Sequence, residues 1–137
     1  MSKQPAFRLE AINYFLKGQA IPWAGDTLYI SLHHTAPYSD DKQTRYEVSY
    51  PGYVRQPISA ADWSRVGTTS HMTNNRQITF PSPNGGTPDE VWWVGLGTHE
   101  TGDGQLLYYT NVFTEVFLIV LHEPVIIPVG GLTVRET

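Results

Sequence analysis

The sequence predicts a mainly β fold with antiparallel strands and one N-terminal helix. Two observations carry this. Residues 91–96, 106–110, 116–121 and 125–127, with 132–134 just beyond, are runs of apolar, β-branched and aromatic residues punctuated by Gly, Pro, Asp and Asn, the composition that a buried antiparallel sheet requires. Upstream, Phe7, Ala11, Ile12, Phe15 and Leu16 recur at helical spacing, with Arg8, Glu10, Asn13 and Lys17 between them, so residues 5–17 form the helix.

Each element has its own signal. Gly18 stops the helix and Pro22 prevents its continuation. The helix is expected to plug one end of the β core by burying Phe7, Ile12, Phe15 and Leu16; the other reading is an arm that binds a partner. Leu28, Ile30 and Leu32 alternate with Tyr29, Ser31 and His33, the period of a half-buried strand. Residues 35–52 are a long polar connection, of a length that usually serves function, and are expected to order on assembly. Residues 53–58 resume an extended pattern, and Pro57 predicts a sheet edge or a bulge because it has no N–H for the ladder. Residues 59–75 are ambiguous between a helical turn and irregular structure. Residues 77–80 form a short strand closed by Pro81, and 82–86 are a turn cluster.

Bulk properties narrow the function classes. A chain of 137 residues suits one domain, residues 1–137, with the β core over 27–134, and buries roughly 70% of its unfolded surface without metal or disulfide. There is no Cys, which excludes a disulfide framework and a thiolate zinc site. No apolar run approaches the roughly 20 residues of a membrane span, and the start of the chain does not match a signal peptide, so a soluble protein with no membrane partner is expected. The net charge is −4 and the nine Lys and Arg are scattered along the chain, which argues against nucleic acid as a partner.

Catalytic and metal-binding readings fare poorly. The segment His99-Glu100-Thr101-Gly102-Asp103 gathers three possible ligands, but the better account is a hairpin loop whose glycines supply positive φ. His33 and His34 end a strand, so they face opposite ways and serve as a polar pair at its edge. Asp40 and Asp41 are adjacent in a polar loop without the apolar pocket that would raise one carboxyl pKa. No Gly-x-Ser-x-Gly, phosphate-cradling loop or Cys nucleophile occurs. The expectation is no enzyme, no catalytic residue, no cofactor and no metal.

Four Trp and eight Tyr carry the sharper hypothesis. Trp92 and Trp93 are neighbours on one predicted strand, so one ring enters the core and the other meets solvent or a partner; the same holds for Tyr108 and Tyr109. With Trp63 and Tyr38 they are the candidate interface residues, flat amphipathic rings that suit subunit contact or sugar stacking.

Taken in order, Leu28-Tyr29-Ile30-Ser31-Leu32-His33, an acid-rich loop, Glu47-Val48-Ser49, Gly52-Tyr53-Val54-Arg55-Gln56, Ile78-Thr79-Phe80-Pro81, the aromatic strand 91–96, Gly104-Gln105-Leu106-Leu107-Tyr108 and Gly131-Leu132-Thr133-Val134 resemble the small tailed-bacteriophage proteins commonly labelled phage tail fibre protein. The resemblance runs from about residue 11 to residue 134. His33-His34 and Glu123-Pro124-Val125-Ile126 depart from the family's usual loops. The resemblance implies an antiparallel β-sandwich, jelly-roll-like, in a non-enzymatic virion protein on the particle exterior. It implies a homo-oligomer such as a trimer, and contact with a major capsid protein as a decoration subunit or with a tail protein. The alternative is a small carbohydrate-binding jelly-roll module with Trp23, Trp63 or Tyr38 stacked on a sugar.

Overall fold

Alternation along residues 28–33 decides the main sheet. In the computed structural model, which describes residues 1–38, 40–87, 89–111 and 117–135 (of Phe117 and Leu118 the backbone only), the elements run β1 (Ser2–Lys3), α1 (Pro5–Lys17), β2 (Leu28–His33), β3 (Gln56–Ile58), a 3-10 turn (Ala60–Asp62), β4 (Trp63–Arg65) and β5 (His71–Asn74). There follow β6 (Ile78–Thr79), β7 (Asp89–Val91), β8 (Trp93–Gly97), β9 (Leu106–Asn111), β10 (Phe117–Ile119), β11 (Ile126–Ile127) and β12 (Thr133–Arg135). The main sheet has the order β1-β9-β8-β2-β3, and every pairing is antiparallel. Three ribbons complete the fold: β12-β5-β4, β10-β7 and β11-β6. The expected mainly β fold is the one observed, in a sandwich-like arrangement with a single helix among the described residues.

The register shows why the core forms where it does. Leu32 faces Val94 and Ile30 faces Leu96 across β2 and β8, so these four side chains share one face of the sheet. On that face they join Ile58, Ile78, Phe80, Val91, Ile119, Ile127 and Leu132 in one buried cluster that draws on all three ribbons. Pro57 sits on β3, the edge strand, where its missing N–H leaves no gap in the ladder. The ambiguous stretch becomes a capped turn and a hairpin: Ser59 and Asp62 cap Ala60–Asp62 reciprocally, and β4 pairs with β5. Buried Asn74 then ties that ribbon to the end of the chain, donating to the Arg76 and Pro128 carbonyls and accepting from Leu132 N–H. Of the predicted strand 116–121, Phe117–Ile119 form β10, Val120 and Leu121 lie beyond its end, and Val116 lies outside the described residues.

The other face of the sheet is polar and is roofed by the 41–55 connection. Ser31, His33, Gly95 and Gly97 lie on it. Gln43, fully buried, lies against Gly97, where a Cβ would overlap its side chain, so the glycine is what admits the roof. Gln43 accepts from His99 N–H at 2.8 Å and donates to His99 O at 3.1 Å. Beside it Arg55, 4% exposed, makes a forked ion pair with Glu47 at 2.6–3.2 Å and donates to His99 O at 2.9 Å and Gly102 O at 2.7 Å. Val48 and Tyr50, from the same connection, are buried in the apolar core cluster instead. Residues of the 35–52 connection are therefore held within the chain itself, contrary to the expectation that they order on assembly.

His33 is another correction. Far from capping an edge, it lies on the interior strand β2 and is fully buried. The Arg45 carbonyl, 2.7 Å from Nδ1, can only accept, so Nδ1 carries the hydrogen and Nε2 accepts from the Ser31 hydroxyl at 2.8 Å. Burial lowers its pKa from 6.5 to about 4, with the Arg55 and His34 charges adding and the Arg45 bond opposing.

α1 keeps its predicted limits. Gly18 ends it in the left-handed conformation, φ 67°. Its burial differs from expectation: Phe7 is buried, packed edge-on against Trp23 and Tyr108 at 5.0 Å, whereas Ile12, Phe15 and Leu16 are 53%, 79% and 79% exposed. At about 100° per residue, Ile12 and Leu16 stand roughly 140° and 180° round the helix from Phe7, so the residues assigned to one face occupy two.

Two predictions follow from the roof. Arg55→Met strands a buried carboxylate, and urea unfolding should show a loss of about 3–5 kcal/mol, partly recovered by adding Glu47→Gln. His33 binds its proton more readily when unfolded, so its contribution is complete above pH 6.5 and is lost as pH falls from 6.5 towards 4. Melting measured over that range should reveal an acid loss of up to about 3 kcal/mol that is smaller in His33→Gln.

Candidate functional site

Tyr109 organises the candidate surface. On β9 its neighbour Tyr108 faces Leu96 across the ladder, on the core side, while Tyr109 faces Gly95 on the other. Here alternation works as expected. Trp93 lies on the Tyr109 face, one step along β8 from Val94, and its ring meets Tyr109 at 5.9 Å; the exposed Tyr38 ring meets Tyr109 from elsewhere at 6.5 Å. These three rings line a groove of about 700 Å³ with Met1, Ser2, Asn111 and Arg135 among its other walls.

The remaining candidates do not join it. Trp63 is half-buried against the core cluster, as is Tyr108, which also packs on Phe7. Both rings act in packing within the chain. Trp92 is 47% exposed, its indole N–H donating to Glu90 at 3.0 Å, and it is absent from the groove. The expectation that one of the Trp pair enters the core fails. The ladder breaks at Trp92: β7 ends at Val91, paired with β10, and β8 begins at Trp93, paired with β2 and β9. That change of partners buries Val91 completely and turns Trp92 outward, while Trp93 starts on the polar face.

Two surface features were missed. Leu9, Ile12 and Leu16 follow one another at the three-then-four spacing of a helix-packing seam, on the side of α1 opposite Phe7, and with Phe15 they are the most exposed apolar group on the helix. Lys3, Arg8 and Arg135 line a pocket of about 370 Å³ together with Met1 and Ser2. Lys3 and Arg135 stand at opposite ends of the sequence, so charges that look scattered along it meet where Met1 N–H donates to Thr133 O at 3.2 Å. No linear signal reports such a meeting.

The residues weighed for chemistry have partners within the chain. Asp40 lies 3.5 Å from Arg45, whereas Asp41 accepts from the Ala6 N–H at 3.3 Å, so the adjacent carboxylates diverge. In the 99–103 loop the carbonyls of His99 and Gly102 face Arg55, and Asp103 accepts from Thr44. Trp23, a sugar-stacking candidate, lies edge-on to Phe7 and donates to Glu10 at 3.0 Å. Among the described residues no helix is long and apolar enough to cross a membrane.

Packing and surface rings should separate by stability. Trp63→Ala should lower urea resistance by about 2 kcal/mol or more, and Trp92→Ala by no more than about 0.5 kcal/mol.

A search of curated proteins finds no match. A family model described as podophage GP4 fiber I protein gp80 matches residues 7–135, from the helix to the last described strand, so the chain belongs to that phage fibre family.

Proposed function

We propose that this chain is a non-enzymatic structural subunit on the virion exterior, attached to the tail and not decorating the capsid, and that its copies associate through α1 as a homo-oligomer, expected as a trimer. Membership of a fibre family supports the tail. The observation that carries the self-association is the seam of Leu9, Ile12 and Leu16, 59%, 53% and 79% exposed, with Phe15 beside it at 79%. Apolar surface costs roughly 25 cal/mol per Å² in water, and the three-then-four spacing is the one by which two helices interlock side chains along a common seam. A second copy offers that seam automatically. Trp92, exposed and anchored by Glu90, is left for a neighbouring tail protein.

Sedimentation equilibrium should show an oligomer at micromolar concentration, and Ile12→Ser with Leu16→Ser should give a monomer of unchanged melting temperature. A wild-type chain that stays monomeric at about 100 μM, or a variant that still associates, overturns the assignment of α1. Immunogold labelling of intact particles should mark tails; label on heads overturns the tail assignment.

A further inference from the structure

Five asparagines are spread along the chain, and the fold treats one of them differently from the rest. Asn13 lies within α1. Asn74 is fully buried, its carboxamide bonded to the Arg76 and Pro128 carbonyls and to Leu132 N–H. Asn75 donates to the Ala61 carbonyl at 3.0 Å and to the Ser64 hydroxyl at 2.8 Å. Asn111 precedes Val112, whose branched side chain crowds its own amide nitrogen. Asn84 is exposed and precedes Gly85 in the 82–86 turn. Its backbone N–H is fixed to the Pro51 carbonyl at 3.2 Å, but among the described residues nothing hydrogen-bonds its carboxamide or the Gly85 N–H. Asp103-Gly104 repeats the pattern with an acid, yet there the carboxylate accepts from Thr44 and lies 4.0 Å from Lys42, while the Asp103 carbonyl accepts from Gln43 N–H. A carboxylate also has no amine to expel.

We infer that Asn84 is a site of spontaneous deamidation, in which the Gly85 amide nitrogen gives its proton to base and attacks Asn84 Cγ. The new N–C bond closes a succinimide ring, and the side-chain nitrogen leaves as ammonia, taking its extra proton from water. Water then opens the ring at either carbonyl. One opening gives aspartate; the other gives isoaspartate, in which the backbone runs through the former side chain. Water is the only co-reactant, and nothing is oxidised or reduced. Glycine keeps the attacking nitrogen accessible because it has no Cβ beside it. The bonds that anchor the turn lie on the near side of the reacting pair: the Tyr50 hydroxyl donates to the Pro81 carbonyl at 2.7 Å, and His122 N–H to the Pro83 carbonyl at 3.0 Å. They hold residues 81–84 against the roof and the end of β10 while leaving Gly85 unbonded. The product places a carboxylate where a neutral side chain stood. No residue of α1 and no part of the Trp92 surface takes part, so the inference stands or falls independently of the function proposed above.

Peptide mapping by mass spectrometry of the full native chain, held at about pH 8.5 where the amide proton is removed more readily, tests it. The Asn84 peptide should gain about 1 Da, at least about tenfold faster than any peptide carrying only other asparagines. Isoaspartyl methyltransferase should methylate the product, since only isoaspartate is its substrate. Because the fold leaves the reacting pair unbonded, the native rate should lie within about tenfold of the rate for the same chain unfolded in urea. Gly85→Ala should slow the native reaction about tenfold by crowding the nitrogen; the added Cβ has room, its nearest neighbours being Pro51 atoms at 3.8 and 3.9 Å. An Asn84 peptide that stays unmodified, a rate matched at another asparagine, aspartate formed without isoaspartate, or a native rate more than about tenfold below the unfolded one overturns the inference. So does an unchanged rate in Gly85→Ala. All but the last of these readings use the unaltered chain and do not depend on a variant folding.

Discussion

The ion pair between Glu47 and Arg55 is the constraint on which the polar half of the molecule rests. A buried guanidinium is tolerable only when its donors are met, and here two carboxylate oxygens and two backbone carbonyls meet them. Those acceptors come from two different loops, the 41–55 roof and the 97–105 hairpin, so closing the pair fixes both at once. Tyr53 reinforces it: its phenol accepts from Leu32 N–H at 3.1 Å, and burial together with the nearby Glu47 carboxylate holds its pKa well above the ordinary value. The neutral phenol is thus a permanent hydrogen-bonding post between the roof and β2.

This arrangement settles what remains for the outside. One face of the main sheet is spent on the apolar core and much of the other on a roof of polar groups satisfied from within. Only the part of that second face around Trp93 and Tyr109 stays open, where it lines the groove. The surfaces left over are those that neither layer can absorb: the side of α1 turned away from Phe7, the ring of Trp92 at the break between β7 and β8, and the margin where β1, β9 and β12 approach. All three arise from local geometry imposed on ordinary apolar and charged residues.

That origin also explains what was legible in the sequence. β2 and β9 lie where the apolar runs put them, Gly18 stops α1, and Pro57 marks an edge, because each depends on neighbours within a few residues. Tyr108 and Tyr109 divide between two faces for the same reason. Trp92 and Trp93 do not divide as expected, because the strand changes partners between them and alternation holds only along an unbroken ladder. The helix misled differently: Phe7, Ile12 and Leu16 are regularly spaced, yet five and nine residues lie nearly opposite on a 3.6-residue helix. His33 and Arg55 illustrate the hardest class. Polar residues signal exposure in a sequence, and only the partners that fold over them, Ser31, Arg45 and Glu47, make their burial possible.

Two of the outward surfaces differ in their physics. The α1 seam is apolar, so association through it should be governed by buried area and respond little to ionic strength. The margin lined by Lys3, Arg8 and Arg135 is charged instead, and the field of such surface charges is screened by salt within about 8–10 Å under ordinary conditions.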